Sequence, residues 1–73
     1  MNVPEYSLLR WFSTDHMKPE LRWVVEQYKS LAEDICENIE ASPERTLALR
    51  SLIESKDNAV RAVVLQLEKA EKQ

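Results

Sequence analysis

The sequence has 73 residues, a formal net charge of −3, one cysteine and one histidine. We expect one small domain, 1–73, whose core alone supplies only about 3–5 kcal/mol unless disulfides, a metal or oligomerisation add to it. One cysteine excludes an intrachain disulfide, and one cysteine with one histidine falls short of the four ligands typical of a structural zinc site. We therefore expect no metal and no cofactor, and we expect a homo-oligomer.

The composition also argues against several classes of partner. The chain is 44% hydrophobic and 32% charged, which is typical of a folded protein. A pI of about 5.1 disfavours binding to duplex DNA. No apolar run approaches the roughly 18 residues that cross a membrane, and no signal-peptide pattern is present. The sequence therefore predicts a cytoplasmic protein that binds neither DNA nor a membrane.

The first elements predicted in chain order are a short N-terminal segment, 1–18, and a long helix, 19–40. Glu5–Phe12 has room for a helical turn or two before a break at Ser13-Thr14-Asp15. Pro19-Glu20 is a helix start, although Lys18 or Met17 is a poor cap. Apolar residues then follow with helical spacing: Leu21, Val24, Val25, Tyr28, Leu31, Ala32, Ile35, Cys36 and Ile39.

A second long helix is predicted over 43–71. Ser42-Pro43-Glu44 combines a favoured N-cap, a proline at the first helical position and an acid in the first turn. The connection at Glu40–Ser42 is so short that the two helices must be antiparallel. The sequence contains no glycine, which argues against a phosphate-binding loop and against most β architectures. The fold class is therefore all-α, a hairpin of two long helices.

More apolar surface is present than two helices can cover. Leu47, Val64 and Leu65 lie off the main apolar stripe of the second helix, and Trp11 and Trp23 add bulk near the N-terminus. Such surface is typical of a chain that associates with other copies. We therefore expect a homo-oligomer, at least a dimer.

Catalysis is poorly supported by the sequence. His16 has no carboxylate or nucleophile at a recognisable spacing, so it is either a solvated loop residue or a ligand contact. Cys36 lies on the apolar stripe and is expected to be a small buried hydrophobic residue. We therefore predict that the protein is not an enzyme.

Two basic residues suggest binding of an anion, and a third is unusual in its position. Arg45 lies in the first turn of the second helix, where the helix dipole disfavours a cation unless an anion binds there. Lys29 is next to Tyr28 and follows an aromatic segment, which suits a stacked base beside a phosphate, although such rings are also common in cores. Lys56 interrupts the apolar stripe, either as a snorkelling side chain or as a polar contact between protomers.

These residues lie within runs that resemble those of a known family. The runs Glu44–Arg50 and Ala59–Val63, with Glu54 and Lys56-Asp57 between them, resemble the second helix of the phage anti-CBASS (type two) proteins. The same hairpin is shared with the Thoeris anti-defence sponges. Phe12–His16 leading into Gln27–Ala32 is similar to the actinobacteriophage branch. The resemblance extends from Trp11 to Val64.

The resemblance implies a phage-encoded sponge, a helical hexamer in the cytoplasm of the bacterial host. Such proteins bind and sequester cyclic oligonucleotide second messengers without cleaving them, and so block anti-phage signalling. The family holds cyclic dinucleotides between two protomers with a lysine, which matches Lys29, and a tyrosine, whose position falls on Thr14. Trp11, Phe12 or His16 would then have to supply the stacking ring.

A separate cyclic trinucleotide site in the family uses an arginine at the start of the second helix. Arg45 matches that arginine, with Thr46 beside it. The alternative function is a small homo-oligomeric adaptor, a helical protein-interaction module with no nucleotide ligand. In that case the excess apolar surface would contact another protein.

Overall fold

The structure is a computed structural model, and it describes residues 8–71. Over that range the chain forms a short 3-10 helix, Arg10–Phe12, and two long α-helices, with no strand. The all-helical prediction is confirmed. Of the turn expected within Glu5–Phe12, residues 5–7 lie outside the described residues, as do the other residues of 1–7 and residues 72–73.

The first long helix, α1, spans Pro19–Asn38. Lys18 occupies the N-cap position without a capping side-chain hydrogen bond, and the proline takes the first helical turn, where a missing N–H is tolerated. The helix ends at Asn38 rather than at Glu40, because the backbone at Ile39 is extended, with φ −119° and ψ 130°. The earlier end lengthens the connection through which the chain reverses direction.

The second long helix, α2, spans Pro43–Glu71, the range expected from the sequence. Its start is fixed by Ser42, whose Oγ accepts a hydrogen bond from the backbone N–H of Arg45 at 3.0 Å. That contact satisfies one of the N–H groups that the first turn of a helix leaves unpaired. The Ser42-Pro43-Glu44 pattern therefore acts as predicted.

Successive contacts between α1 and α2 join later residues of α2 to earlier residues of α1. Arg45, near the start of α2, donates to Ile39 at the end of α1. The hydroxyls of Tyr28 and Ser55 are 2.8 Å apart in the middle of both helices. Leu21, near the start of α1, lines the same groove as Val64. The two helices are therefore packed antiparallel.

A narrow core lies where the three elements meet. Phe12, Ala32 and Leu49 have no exposed surface and Val25 is only 1% exposed, so each helical element contributes at least one enclosed side chain. Partly buried residues pack around these three, and they are Leu8, Leu9, Tyr28, Ile35, Cys36, Leu52 and Ile53. The 3-10 helix thus covers the groove between α1 and α2 through Phe12.

Much of the apolar surface lies outside this core. The described chain measures 50 × 20 × 16 Å, a shape too thin to enclose side chains on more than one side of each helix. The large hydrophobic side chains that remain exposed are Trp11, Trp23, Leu31, Ile39, Leu47, Leu65 and Leu67.

Within residues 8–71, no helix combines the length and the apolar character that a membrane span requires.

We predict that Leu49→Ala lowers the free energy of unfolding by about 2–5 kcal/mol, because it removes a fully buried side chain and leaves a cavity. Leu31→Ala is the matched control, since Leu31 is about half exposed on the other helix. Urea denaturation followed by circular dichroism measures both variants. Equal losses in the two would show that the core is not centred on Leu49.

Candidate functional site

One cavity of about 330 Å³ brings basic and aromatic side chains together, and we call it the basic pocket. The residues that line it are Arg10, Trp11, Ser13, His16, Met17, Val25 and Lys56. They come from the 3-10 helix and the turn after it, from α1 and from α2. The pocket therefore exists only when all three elements are packed together.

Buried side chains and backbone hydrogen bonds fix the segment that forms one wall of the basic pocket. Phe12 is fully buried in the core, and Thr14 is only 8% exposed. The backbone N–H of Ser13 donates to the carbonyl of Arg10 at 3.2 Å, and that of Met17 donates to the carbonyl of Thr14 at 3.1 Å. These bonds fix the backbone of the turn, in which buried Phe12 and Thr14 alternate with the more exposed Trp11, Ser13 and Asp15.

Trp11 and Arg10 present an aromatic ring and a cation at the mouth of the basic pocket. The guanidinium carbon of Arg10 is 5.2 Å from the centroid of the Trp11 ring, within the range of a cation–π contact. Trp11 is 52% exposed, so a large part of the indole is accessible to a ligand. Stacking on such a ring contributes about 1–3 kcal/mol per nucleic acid base.

Lys56 reaches the basic pocket from α2. Its side chain is 12% exposed, and its Nζ is 2.7 Å from Oδ1 of Asp57. An ammonium group has three donors, so this ion pair leaves hydrogen-bonding capacity on Nζ. Lys56, which interrupts the apolar stripe, thus places a cation against the cavity, and the carboxylate of Asp57 offsets part of its charge.

A second cavity has the opposite electrostatic character. It has a volume of about 510 Å³ and lies between the start of α1 and the end of α2. Its lining residues are Lys18, Glu20, Leu21, Val64, Leu67, Glu68, Ala70 and Glu71. Three carboxylates against one ammonium disfavour an anion there, so the basic pocket is the better candidate for an anionic ligand.

The structure brings together two of the four residues predicted for a cyclic dinucleotide, Trp11 and His16. Thr14 is buried beside them and is not among the lining residues. Lys29 does not line the cavity either; it lies one helical turn beyond Val25, which does. Any contact of Lys29 with a ligand in the basic pocket would therefore come from its rim.

Arg45, predicted to bind a cyclic trinucleotide, lies in the junction between the helices. It is 8% exposed, and its Nη1 donates to the backbone carbonyls of Cys36, at 3.2 Å, and of Ile39. The last carbonyls of a helix carry negative partial charge, which a cation stabilises. Arg45 is thus unfavourable for the dipole of its own helix, α2, but it stabilises the end of α1.

Thr46 also has contacts inside the protomer, since its hydroxyl donates to the carbonyl of Ser42 at 3.3 Å. Along α2, Arg45 and Lys56 are separated by about 16 Å, at a rise of about 1.5 Å per residue. The residues predicted to bind a cyclic trinucleotide and the basic pocket therefore lie in different parts of the protomer.

Neither Arg10 nor Lys56 was expected from the sequence to contact a ligand. The signal for Arg10 was its position next to Trp11, and the signal for Lys56 was the interrupted stripe. Among residues 8–71 no group of three or more His, Cys, Asp or Glu side chains could hold a metal ion. The chemistry that these residues offer is binding of an anion with an aromatic ring.

Comparison with protein-family models, with curated proteins and with solved structures found no match to this chain.

We predict that Arg45→Ala lowers the free energy of unfolding by about 1.5–3 kcal/mol, because a charged donor to two helix-end carbonyls is lost. Arg45→Lys should restore part of that loss, and Arg50→Ala, at an exposed position on the same helix, should change it by no more than about 0.5 kcal/mol. Urea denaturation measures all three. Equal stability of Arg45→Ala and Arg50→Ala would contradict the assignment.

Proposed function

We propose that this protein is a homo-oligomeric sponge that binds and sequesters cyclic oligonucleotides without cleaving them. The observation that supports this most directly is the basic pocket, in which Trp11 lies beside Arg10, His16 and Lys56. The family resemblance supports the same ligand class and a phage-encoded role in blocking bacterial anti-phage signalling. The ligands proposed are cyclic dinucleotides, cyclic trinucleotides or both.

The basic pocket differs in charge from the rest of the chain. The sequence has a formal net charge of −3, yet among residues 8–71 every ionisable residue that lines the pocket is Arg, Lys or His. A local positive potential in a net acidic protein favours a small anion over a long polyanion, because the surrounding carboxylates repel extended nucleic acid.

The side chains of the pocket suit the two parts of a nucleotide. The exposed indole of Trp11 offers a surface for stacking of a base. Arg10 and Lys56 offer donors for phosphate oxygens, and a planar guanidinium can bind two of those oxygens at once. His16 is exposed and adds a further donor at the rim.

The volume of the pocket supports self-association. Sites for small molecules have volumes of about 300–1,000 Å³, and the basic pocket, at about 330 Å³, lies at the lower end of that range. A cyclic oligonucleotide would fill such a pocket with one nucleotide and leave the rest exposed. We therefore propose that a second protomer covers the remainder, in an oligomer for which the resemblance suggests a hexamer.

The lining of the pocket is consistent with binding rather than hydrolysis. Cleavage of a phosphodiester requires an activated nucleophile or metal-bound water, with a base held by a third group. Within the described part of the chain, the ionisable groups that line the pocket are two cations and one imidazole, and no carboxylate lines it to orient that imidazole. These groups can neutralise phosphate charge, so we propose sequestration as the activity.

The cyclic trinucleotide site at Arg45 and Thr46 stays a prediction. Both side chains make hydrogen bonds within their own protomer. A ligand there would have to share the guanidinium with the carbonyls of Cys36 and Ile39. The basic pocket is therefore the site we propose first for either class of cyclic nucleotide.

A second candidate function is a homo-oligomeric adaptor without a nucleotide ligand. Trp23 and Leu31 favour it, since both are about half exposed on α1 and neither lines the basic pocket. Exposed aromatic residues are enriched in protein interfaces. In an adaptor, loss of Trp23 would abolish function and loss of Trp11 would not.

We predict that isothermal titration calorimetry with a panel of cyclic di- and trinucleotides detects binding by the wild-type protein. Trp11→Ala and Lys56→Gln should each weaken binding by about fivefold to 150-fold, because a stacked base or a charged hydrogen bond contributes about 1–3 kcal/mol. Trp23→Ala is the matched control, since Trp23 is an exposed tryptophan outside the pocket.

If no cyclic nucleotide of the panel gives a heat of binding with the wild type, the sponge proposal is rejected. Equal affinity of Trp11→Ala and Trp23→Ala would place the site elsewhere in the protein. Chromatography of the nucleotide after incubation should recover it intact, and a linear product would contradict sequestration.

A further inference from the structure

One face of α2 carries a seven-residue pattern that the fold does not use. Its members, which we call the outer seam, are Leu47, Ser51, Glu54, Asn58, Arg61 and Leu65, and all six are exposed. Their spacing alternates between four and three residues, which is the spacing of a coiled-coil seam, but only the two leucines at the ends are apolar. Leu47 and Leu65 are 62% and 65% exposed, the highest values among the large exposed hydrophobic residues.

We propose that the outer seam binds the outer seam of a second copy of this chain, with the two α2 helices antiparallel. The seam has a leucine at each end, at equal distances from its centre, and four polar residues between them. In an antiparallel pair, Leu47 of one copy therefore meets Leu65 of the other, twice by symmetry. This assignment deepens the self-association in the proposed function and does not depend on a nucleotide ligand.

Charge determines the orientation of the pair. In the antiparallel register, Glu54 lies opposite Asn58 of the second copy and within one helical turn of its Arg61. A two-fold axis makes that contact twice. A parallel pair in register would instead set Glu54 against Glu54 and Arg61 against Arg61, which is unfavourable. The seam is therefore complementary to itself in one orientation only.

Residues beside the seam are small enough for close approach. Ala48, Ser55 and Ala62 recur every seven residues along one edge of it and are all exposed. Ser55 already has a partner in its own protomer, the hydroxyl of Tyr28, so it adds little bulk or unpaired polarity to the contact. Small side chains at such positions let two helices approach each other closely.

This contact leaves the basic pocket accessible. Lys56 lies midway between Glu54 and Asn58 in sequence, and residues two positions apart on a helix point to nearly opposite sides. Lys56 and the pocket therefore face away from the second copy. A different surface remains for the protomer that would cover the ligand, so this pairing is compatible with a larger, even-numbered oligomer.

Cysteine cross-linking tests the pairing directly. Two proteins are prepared with Cys36→Ala, one carrying Leu47→Cys and the other Leu65→Cys. Positions 47 and 65 are about 27 Å apart along one helix, so an antiparallel pair brings unlike cysteines together and keeps like ones apart. Mild oxidation should give a disulfide-linked dimer in the mixture and little in either protein alone.

Charge reversal provides a second measurement. Glu54→Arg and Arg61→Glu should each weaken self-association by about tenfold in sedimentation equilibrium, since two charge pairs become repulsive. The double variant should recover most of the wild-type affinity. Glu33→Arg, an exposed reversal on α1, is the control and should leave association unchanged.

If each single-cysteine protein alone gives as much disulfide-linked dimer as the mixture does, the antiparallel pairing is overturned. An oligomeric wild type that shows no cross-link in the mixture would reject the outer seam as the interface and leave the proposed self-association intact. A monomeric wild type in sedimentation would overturn both the seam and the homo-oligomer.

Discussion

The small amount of apolar surface that a two-helix hairpin can enclose is the constraint on which the other features depend. Phe12, Ala32 and Leu49 are fully buried, but Trp23 and Leu65 are more than half exposed. A chain this short buries only about 60% of the surface that its unfolded form exposes. The 3-10 helix covers one groove of the hairpin through Phe12, and in doing so it forms the wall of the basic pocket. The remaining apolar surface is available for other copies.

How well the sequence predicted the helices depended on how local each signal was. The start of α2 could be predicted because Ser42, Pro43 and Glu44 act within one turn, and the hydroxyl of Ser42 caps the helix as expected. The end of α1 carries no comparable signal, since the chain has no glycine to mark it. Instead Arg45, from the next helix, stabilises the carbonyls of Cys36 and Ile39. That contact depends on the packing of two helices, which no local pattern encodes.

The same distinction applies to the candidate site. Trp11 and His16 are close in sequence, so their meeting in the basic pocket could be predicted from a single turn. Lys56 is distant in sequence and reaches the pocket only through packing of α2 against α1. Its interruption of an apolar stripe suggested a snorkelling side chain or a contact between protomers, and gave no sign of a pocket within one protomer. The resemblance pointed instead to Lys29 and Arg45, and the structure places neither in the pocket.

Native mass spectrometry with a bound cyclic dinucleotide tests the central claim most directly, because it measures the number of protomers and the number of ligands together. We expect an oligomer that carries fewer ligands than protomers, because we propose that two copies share each ligand. A monomer, whether empty or carrying one ligand, would contradict the claim that the incomplete burial of the hairpin and the small basic pocket both require a second protomer.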